Sequence, residues 1–304
     1  MLNEKSMLSS TTIQIAIHNI LVATDFTEAS FKPTRYATTL ARRYGSKLYL
    51  VHIVDHAGKA HGGSHPIDEA TRIALQEGER LESRIAREKS LADVDHALIV
   101  KAGDVLDELS QIISTEVIDL VVVGTHGRIG IKKLVLGSVA EKIFRNSPCP
   151  VLTIGPNVRT PRYPGAEPTH ILVPTDFSLQ SRLALQYALF IARKHQAQLT
   201  LVHILEEAFS NTKEAPAAAR SARARLRDFA AEEEILSSGP ELVTGVGPIG
   251  DRVLNIARKR RADLIVIGVR AAAGLKDHAL WPNAYRIVCG AHCPVLTVRG
   301  DEQF

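Results

Sequence analysis

Four apolar blocks occur twice along the chain, in the same order, and this repetition constrains the fold more than any other feature. His18-Asn-Ile-Leu-Val-Ala-Thr-Asp25-Phe recurs as His170-Ile-Leu-Val-Pro-Thr-Asp176-Phe, which sets Asp25 opposite Asp176. Leu48-Tyr-Leu-Val-His52-Ile53 recurs as Leu199-Thr-Leu-Val-His203-Ile204, at the same offset. Ile118-Asp-Leu-Val-Val-Val-Gly124 and Cys149-Pro-Val-Leu-Thr-Ile154 recur as Ala262-Asp-Leu-Ile-Val-Ile-Gly268 and Cys293-Pro-Val-Leu-Thr-Val298. A chain of 304 residues has room for two domains, and ordered self-similarity of this kind makes them copies of one unit. Between them, residues 155–168 carry four prolines and read as an extended linker. The expected division is 1–154, linker 155–168, and 169–304.

Within each copy, short apolar runs alternate with longer helical patterns. Residues 20–23, 48–54, 97–101, 120–124 and 151–154 are continuous Val/Ile/Leu-rich runs, as suits strands buried on both faces. Residues 28–44, 67–89, 105–116 and 138–145 have helical spacing, and 215–236 reads as an Ala- and Arg-rich surface helix. Such alternation predicts a parallel sheet between layers of helices. Ligands in such sheets sit beyond the carboxyl ends of the strands, where the strand order reverses. The loops after Ala23, Ile53, Lys101 and Gly124 are therefore the places to look for chemistry.

The most informative of these is Gly124-Thr-His126-Gly127-Arg128-Ile-Gly130-Ile-Lys-Lys-Leu-Val-Leu-Gly137-Ser138, which ends where a helix begins. Glycines let backbone approach phosphate oxygens and adopt positive φ. A helix start presents unbonded N–H groups and the positive dipole end to an anion. Ser138 reads as a cap of that helix, with Glu141 completing a capping box, a role compatible with phosphate binding. The stretch contains no Gly-x-x-x-x-Gly-Lys-Ser/Thr and does not follow the first strand, so it is neither a Walker loop nor a dinucleotide fingerprint.

Gly124-x-x-Gly127, nine residues and then Gly137-Ser138 resembles the nucleotide-binding signature of the universal stress protein family, in its ATP-binding branch. The resemblance extends to Val22-Ala-Thr-Asp25-Phe, Leu50-Val-His52-Ile53 and Pro148-Cys-Pro-Val-Leu, and covers roughly 16–154 and 168–299. It implies an α/β protein of two tandem Rossmann-like domains of the adenine nucleotide alpha hydrolase-like kind, each a five-stranded parallel sheet flanked by helices. By the same resemblance Ala23, Thr24 and Asp25 line the nucleoside end, and Ile53 offers backbone groups to adenine. Val123, Gly124 and Gly127 pass along ribose and phosphates, and Gly137, Ser138 and Val139 hold phosphate oxygens. A carboxylate beside a triphosphate is repelled, so Asp25 should meet base, ribose or a bridging Mg²⁺; its alternative role is a cap for the helix at 28–44. His126 and Arg128 add positive character near phosphate or are simply solvent-facing. The cofactor implied is ATP, or ADP or AMP, with Mg²⁺. The resemblance also implies a cytoplasmic stress-response protein whose nucleotide state tunes its contacts with a regulatory partner. Family members pair through their last strands; a fused duplication could do so internally, between 151–154 and 295–298, and then form a homodimer.

In the second copy the matching stretch runs from Gly268 through Ala271 to Trp281-Pro282. Ala271 stands where the first copy has Gly127, Trp281 where it has Gly137, and Pro282 where it has Ser138. Alanine resists positive φ, an indole fills phosphate space, and proline lacks the N–H that would bind. Proline is tolerated at a helix start, so the fold survives while the site is expected to be empty or occluded. Trp281 has an ordinary alternative use in packing.

The remaining features exclude more than they assign. A formal net charge of +4 without a long basic run gives no case for nucleic acid, and Arg258-Lys259-Arg260-Arg261 reads as a solvated helix end. Cys149, Cys289 and Cys293 form no Cys-x-x-Cys pair, which argues against a thiolate zinc site and a disulfide framework; Cys149 and Cys293 read as small buried hydrophobes. No apolar run reaches the ~20 residues of a membrane span, and the first residues lack a secretory pattern. His56, His61 and His65 crowd one loop, but Gly58, Gly62 and Gly63 make it a polar loop in preference to a metal site. His52 and His203 read as fold residues. No positioned general base accompanies the glycine loop, so hydrolysis, if any, is expected to be slow. An ATP-using transferase or pyrophosphatase is the enzyme alternative, and a nucleotide-free scaffold the other.

Overall fold

The computed structural model describes residues 15–25, 28–54, 72, 76, 78–80, 91–125, 136–158, 167–206, 215–233, 235, 239–270 and 282–300. In the first repeat these form β1 (Asn19–Ala23), α1 (Glu28–Tyr44), β2 (Lys47–Val54), β3 (His96–Ala102), α2 (Val105–Thr115), β4 (Leu120–Gly124), α3 (Ser138–Asn146) and β5 (Val151–Ile154). The second repeat gives β6 (His170–Pro174), α4 (Leu179–His195), β7 (Gln198–Leu205), α5 (Ala215–Glu232), β8 (Glu241–Val246), α6 (Ile249–Arg260), β9 (Leu264–Arg270), α7 (Pro282–Gly290) and β10 (Val295–Gly300). Each expected strand is present, extended by one residue at an end in several cases. The helix expected over 67–89 falls almost wholly outside the described residues, as do 159–166 of the proline-rich segment.

The strands form one ten-stranded sheet in the order β3-β2-β1-β4-β5-β10-β9-β6-β7-β8. Within each repeat every pairing is parallel, and the order reverses between the first and fourth strands of the repeat. The one antiparallel contact joins β5 to β10, with Leu152 facing Leu296 and the flanking pairs Thr153–Val295 and Val151–Thr297. Leu152 and Leu296 are repeat counterparts, so a two-fold axis passes through this pair. The chain thus makes internally the isologous contact that a symmetric dimer makes between subunits.

Alternation of side chains sends the apolar runs to two cores. Leu21, Val121, Val151, Ile265 and Val295 face one side, packed under α2, α3, α6 and α7. Ile20, Val22, Leu120, Leu152 and Leu296 face the other, under α1, α4 and α5. Each core contains residues of both repeats, which makes the molecule one continuous three-layer sandwich. The surface helix α5 is amphipathic: Ala222, Leu226, Phe229 and Ala230 are buried at helical spacing while its arginines point outward. Asp119 and Asp263, one residue before β4 and β9, accept N–H bonds from the chain entering β1 and β6: from His18 and Asn19, and from Thr169 and His170. These matched carboxylates staple the strand starts.

Candidate functional site

The end of β1 is organised around Thr24. Its N–H donates to Val51 O at 2.9 Å, its hydroxyl donates to Ser30 of α1 at 2.9 Å, and its carbonyl is 2.9 Å from His52 Nδ1. The second repeat reproduces this around Thr175, with Val202, Ser181 and His203 in the same places. The two histidines therefore lock the first strand to the second, the fold role expected of them. Ala23, Thr24 and Asp25 leave β1 here, beside Ile53 on β2 on one flank and Val123 and Gly124 of β4 on the other.

The glycine loop returns to this same edge. Gly137 N–H donates to Thr125 O at 2.8 Å, while Thr125 N–H donates to Ile154 O, which ties the start of α3 to the end of β4. Gly137, Ser138 and Val139 thus stand at the end of β4, on the edge where β1 also ends. Gly127 and Arg128, with His126, lie outside the described residues, as do His56, His61 and His65.

At the helix start the structure corrects one expectation. Ser138 is the first helical residue and Gly137 is the N-cap, at φ −62° and ψ 152°, with no side-chain cap. Glu141 is one position too late for a capping box; its N–H bonds to Gly137 O and its carboxylate pairs with Arg145. A glycine N-cap contributes no oxygen of its own, so the N–H groups of Ser138, Val139 and Ala140 lack both intrahelical and side-chain acceptors among the described residues. That is a stronger anion cradle than a capped end. The φ of Gly137 is one any residue adopts, so what glycine supplies there is open space for backbone approach.

Asp25 has its clearest reading from its counterpart. Asp176 accepts bonds from Ser178 N–H and Oγ, and Ser178 is the N-cap of α4. Burial pushes the Asp176 carboxyl up, but hydrogen bonds from Ser178 and Ser181 outweigh it and hold the group below the usual range. In the second repeat this aspartate is therefore engaged in the start of the helix. Gly268 also has a local reason: a Cβ there would lie 2.1 Å from Gln180 O and 2.7 Å from Ser181 N of α4. Retention of Gly268 reflects close strand–helix packing and needs no ligand. Pro282 opens α7 as the tolerated first-turn proline; Ala271 and Trp281 lie outside the described residues.

One participant escaped the sequence. Tyr285 of α7 accepts a hydrogen bond at 3.1 Å from the N–H of Leu136, the residue before the glycine cap. Arg299 of β10 donates to Phe144 O near the other end of α3. Both ends of the first repeat's cradle helix are therefore braced by the second repeat. The expected β5–β10 pairing held the signal, because it brings the helices that precede those strands together. Among the described residues no group of three or more His, Cys, Asp or Glu could hold a metal ion. No described helix is long and apolar enough to cross a membrane.

Fold and site together define a doubly wound α/β protein with a glycine-capped helix at the strand-order reversal. The sequence model described as the universal stress protein family matches residues 16–155 and again 168–299, and the chain belongs to that family. It is 27% identical over 139 residues to a universal stress protein of Methanocaldococcus jannaschii, a match covering 44% of this chain and 80% of that one. It is 32% identical over 139 residues to universal stress protein A homolog 2 of Coxiella burnetii, covering 44% of this chain and 92% of that one. Both relatives have the length of about one repeat. The crystal structure of a universal stress protein from Archaeoglobus fulgidus superposes with a TM-score of 0.71 at 22% identity, covering 95% of this chain and 99% of that one, so the tandem fold itself is shared.

Proposed function

We propose that the first repeat binds one adenine nucleotide, ATP or its products, and that the second repeat has lost this capacity and serves as a brace. The observation that carries the reading is the uncapped start of α3, held by the Gly137–Thr125 bond at the end of β4. Three amides there suit phosphate oxygens, and the positive helix end adds to the attraction. Asp25, Ala23, Thr24 and Ile53 would take the nucleoside; Val123 and Gly124, and Gly127 and Arg128 of the loop, would run along the phosphates. Mg²⁺ would be held by Asp25 and phosphate oxygens, since that ion is commonly bound by one or two carboxylates together with substrate phosphates. The bound nucleotide would act as a signal of stress state read by a protein partner in the cytoplasm. Because β5 and β10 already satisfy one another, a homodimer would use a different surface.

Purified protein is expected to bind ATP at one molecule per chain in a calorimetric titration, and to carry an adenine nucleotide detectable by mass spectrometry. Absence of binding, or a stoichiometry of two, overturns the reading. A multiple-turnover assay separates the enzyme alternative: rapid phosphate or pyrophosphate release would favour it over a regulatory module.

A further inference from the structure

A cavity lies at the opposite end of the sheet from the start of α3. It has a volume of about 910 Å³ and sits between α1 and α4, over the strand starts on both sides of the β5–β10 junction. Its walls come in repeat-related pairs: Tyr36 with Tyr187, and Leu152 with Leu296. Neither repeat alone encloses it. Its size falls in the range that buries most of a small organic ligand, roughly 300–1,000 Å³.

Three carboxylates and two guanidinium groups line it, and they differ in their partners. Asp119 and Asp263 line the cavity but receive backbone N–H bonds at the strand starts. Glu167 pairs with Arg43 and lies 3.3 Å from His195 Nδ1. Arg258 and Arg261 also line it, are exposed, and make no ion pair with a described residue, whereas neighbouring Arg260 pairs with Glu241. The basic cluster that reads in sequence as a solvated helix end therefore places two guanidinium groups, without an ion pair among the described residues, at the rim of an apolar, phenol-bearing chamber. A guanidinium fork suits a carboxylate.

We propose that this cavity binds an amphiphilic carboxylate of the fatty-acid class, with its chain between α1 and α4 and its head group at Arg258 and Arg261. The site is separate from the nucleotide cradle and does not depend on it. The full chain should be titrated with palmitate, with displacement of the fluorescent anion anilinonaphthalene sulfonate as the readout. Saturable binding of one palmitate per chain is expected, unaffected by saturating ATP. Arg258→Glu with Arg261→Glu, at exposed positions that leave the core intact, should weaken it about tenfold. Leu40→Trp, which fills the chamber from α1, should abolish it while leaving the circular dichroism spectrum unchanged. Hexadecanol should bind more weakly than palmitate. Failure of the wild-type chain to bind, displacement by ATP, or indifference to the double charge reversal would each overturn the assignment.

Discussion

In the first repeat the chain leaves the fourth strand at Gly124 and re-enters a helix through Gly137, a cap without a side chain; in the second it leaves at Arg270, two residues past Gly268, and re-enters through Pro282. Around these turns the two scaffolds are nearly superimposed in their chemistry. Thr24 and Thr175, His52 and His203, and Asp119 and Asp263 make the same bonds in both. The comparison teaches that scaffold bonds and the free amides of a helix start answer to different pressures. A proline at the first helical position leaves the fold standing and removes one N–H from the anion cradle.

Gly137→Trp puts the second repeat's residue into the first and is the largest expected effect. Loss of two or more backbone bonds to charged oxygens, at about 1.5–3 kcal/mol each, corresponds to a loss of at least about a hundredfold in ATP affinity. Titration calorimetry reads this, with an unchanged circular dichroism spectrum as the check on folding. The converse exchange, Trp281→Gly with Pro282→Ser, should leave the stoichiometry at one. A restored second site would break the comparison, because Asp176 is already engaged with Ser178.

The staples test the other half of the claim, that the scaffolds are equivalent. Asp119→Ala and Asp263→Ala should each lower stability by roughly 1–2 kcal/mol in urea unfolding. Asp263→Ala should cost more, since its carboxylate also accepts a bond from the Thr169 hydroxyl. Tyr285→Phe asks whether the second repeat braces the cradle: affinity for ATP should fall by about threefold to tenfold, near 1 kcal/mol, with little change in unfolding. An unchanged affinity would make the Leu136–Tyr285 bond purely structural.

The matched cysteines test the scaffold only at alkaline pH. Burial pushes the Cys149 thiol up from 9.0 to about 11 and the Cys293 thiol up to about 12. The folded state therefore keeps protons that the unfolded chain releases above pH 9, so this stabilisation is complete below that point and is lost as pH rises toward 11–12. Urea unfolding of the wild type and of Cys149→Ala and Cys293→Ala at pH about 8 and about 10.5 should show a shallower alkaline decline in each variant, by at most about 2 kcal/mol.

Much of this was legible in the residues. The repeated apolar runs carry the strand pattern because burial on both faces demands continuous Val, Ile and Leu. The last-strand pairing followed from the duplication. Ser138 misled because a serine beside a helix start ordinarily caps it; the bond from Gly137 N–H to Thr125 O shifts the cap back by one residue. Gly268 matches Gly124 in sequence, and the structure gives it a packing reason, since a Cβ there would lie 2.1 Å from Gln180 O of α4. Tyr285 and the cavity arise from contacts between repeats, with more than a hundred residues of sequence between the partners, and no spacing rule reaches that far.

The Leu152–Leu296 pairing has an evolutionary consequence. When two identical subunits meet across such an axis, every change in the gene is made twice, and a residue that blocks one pocket blocks both. Covalent fusion ends that obligation. One half can keep its ligand while the other drifts toward a supporting task, and a single gene then encodes a lopsided assembly that identical subunits could never form.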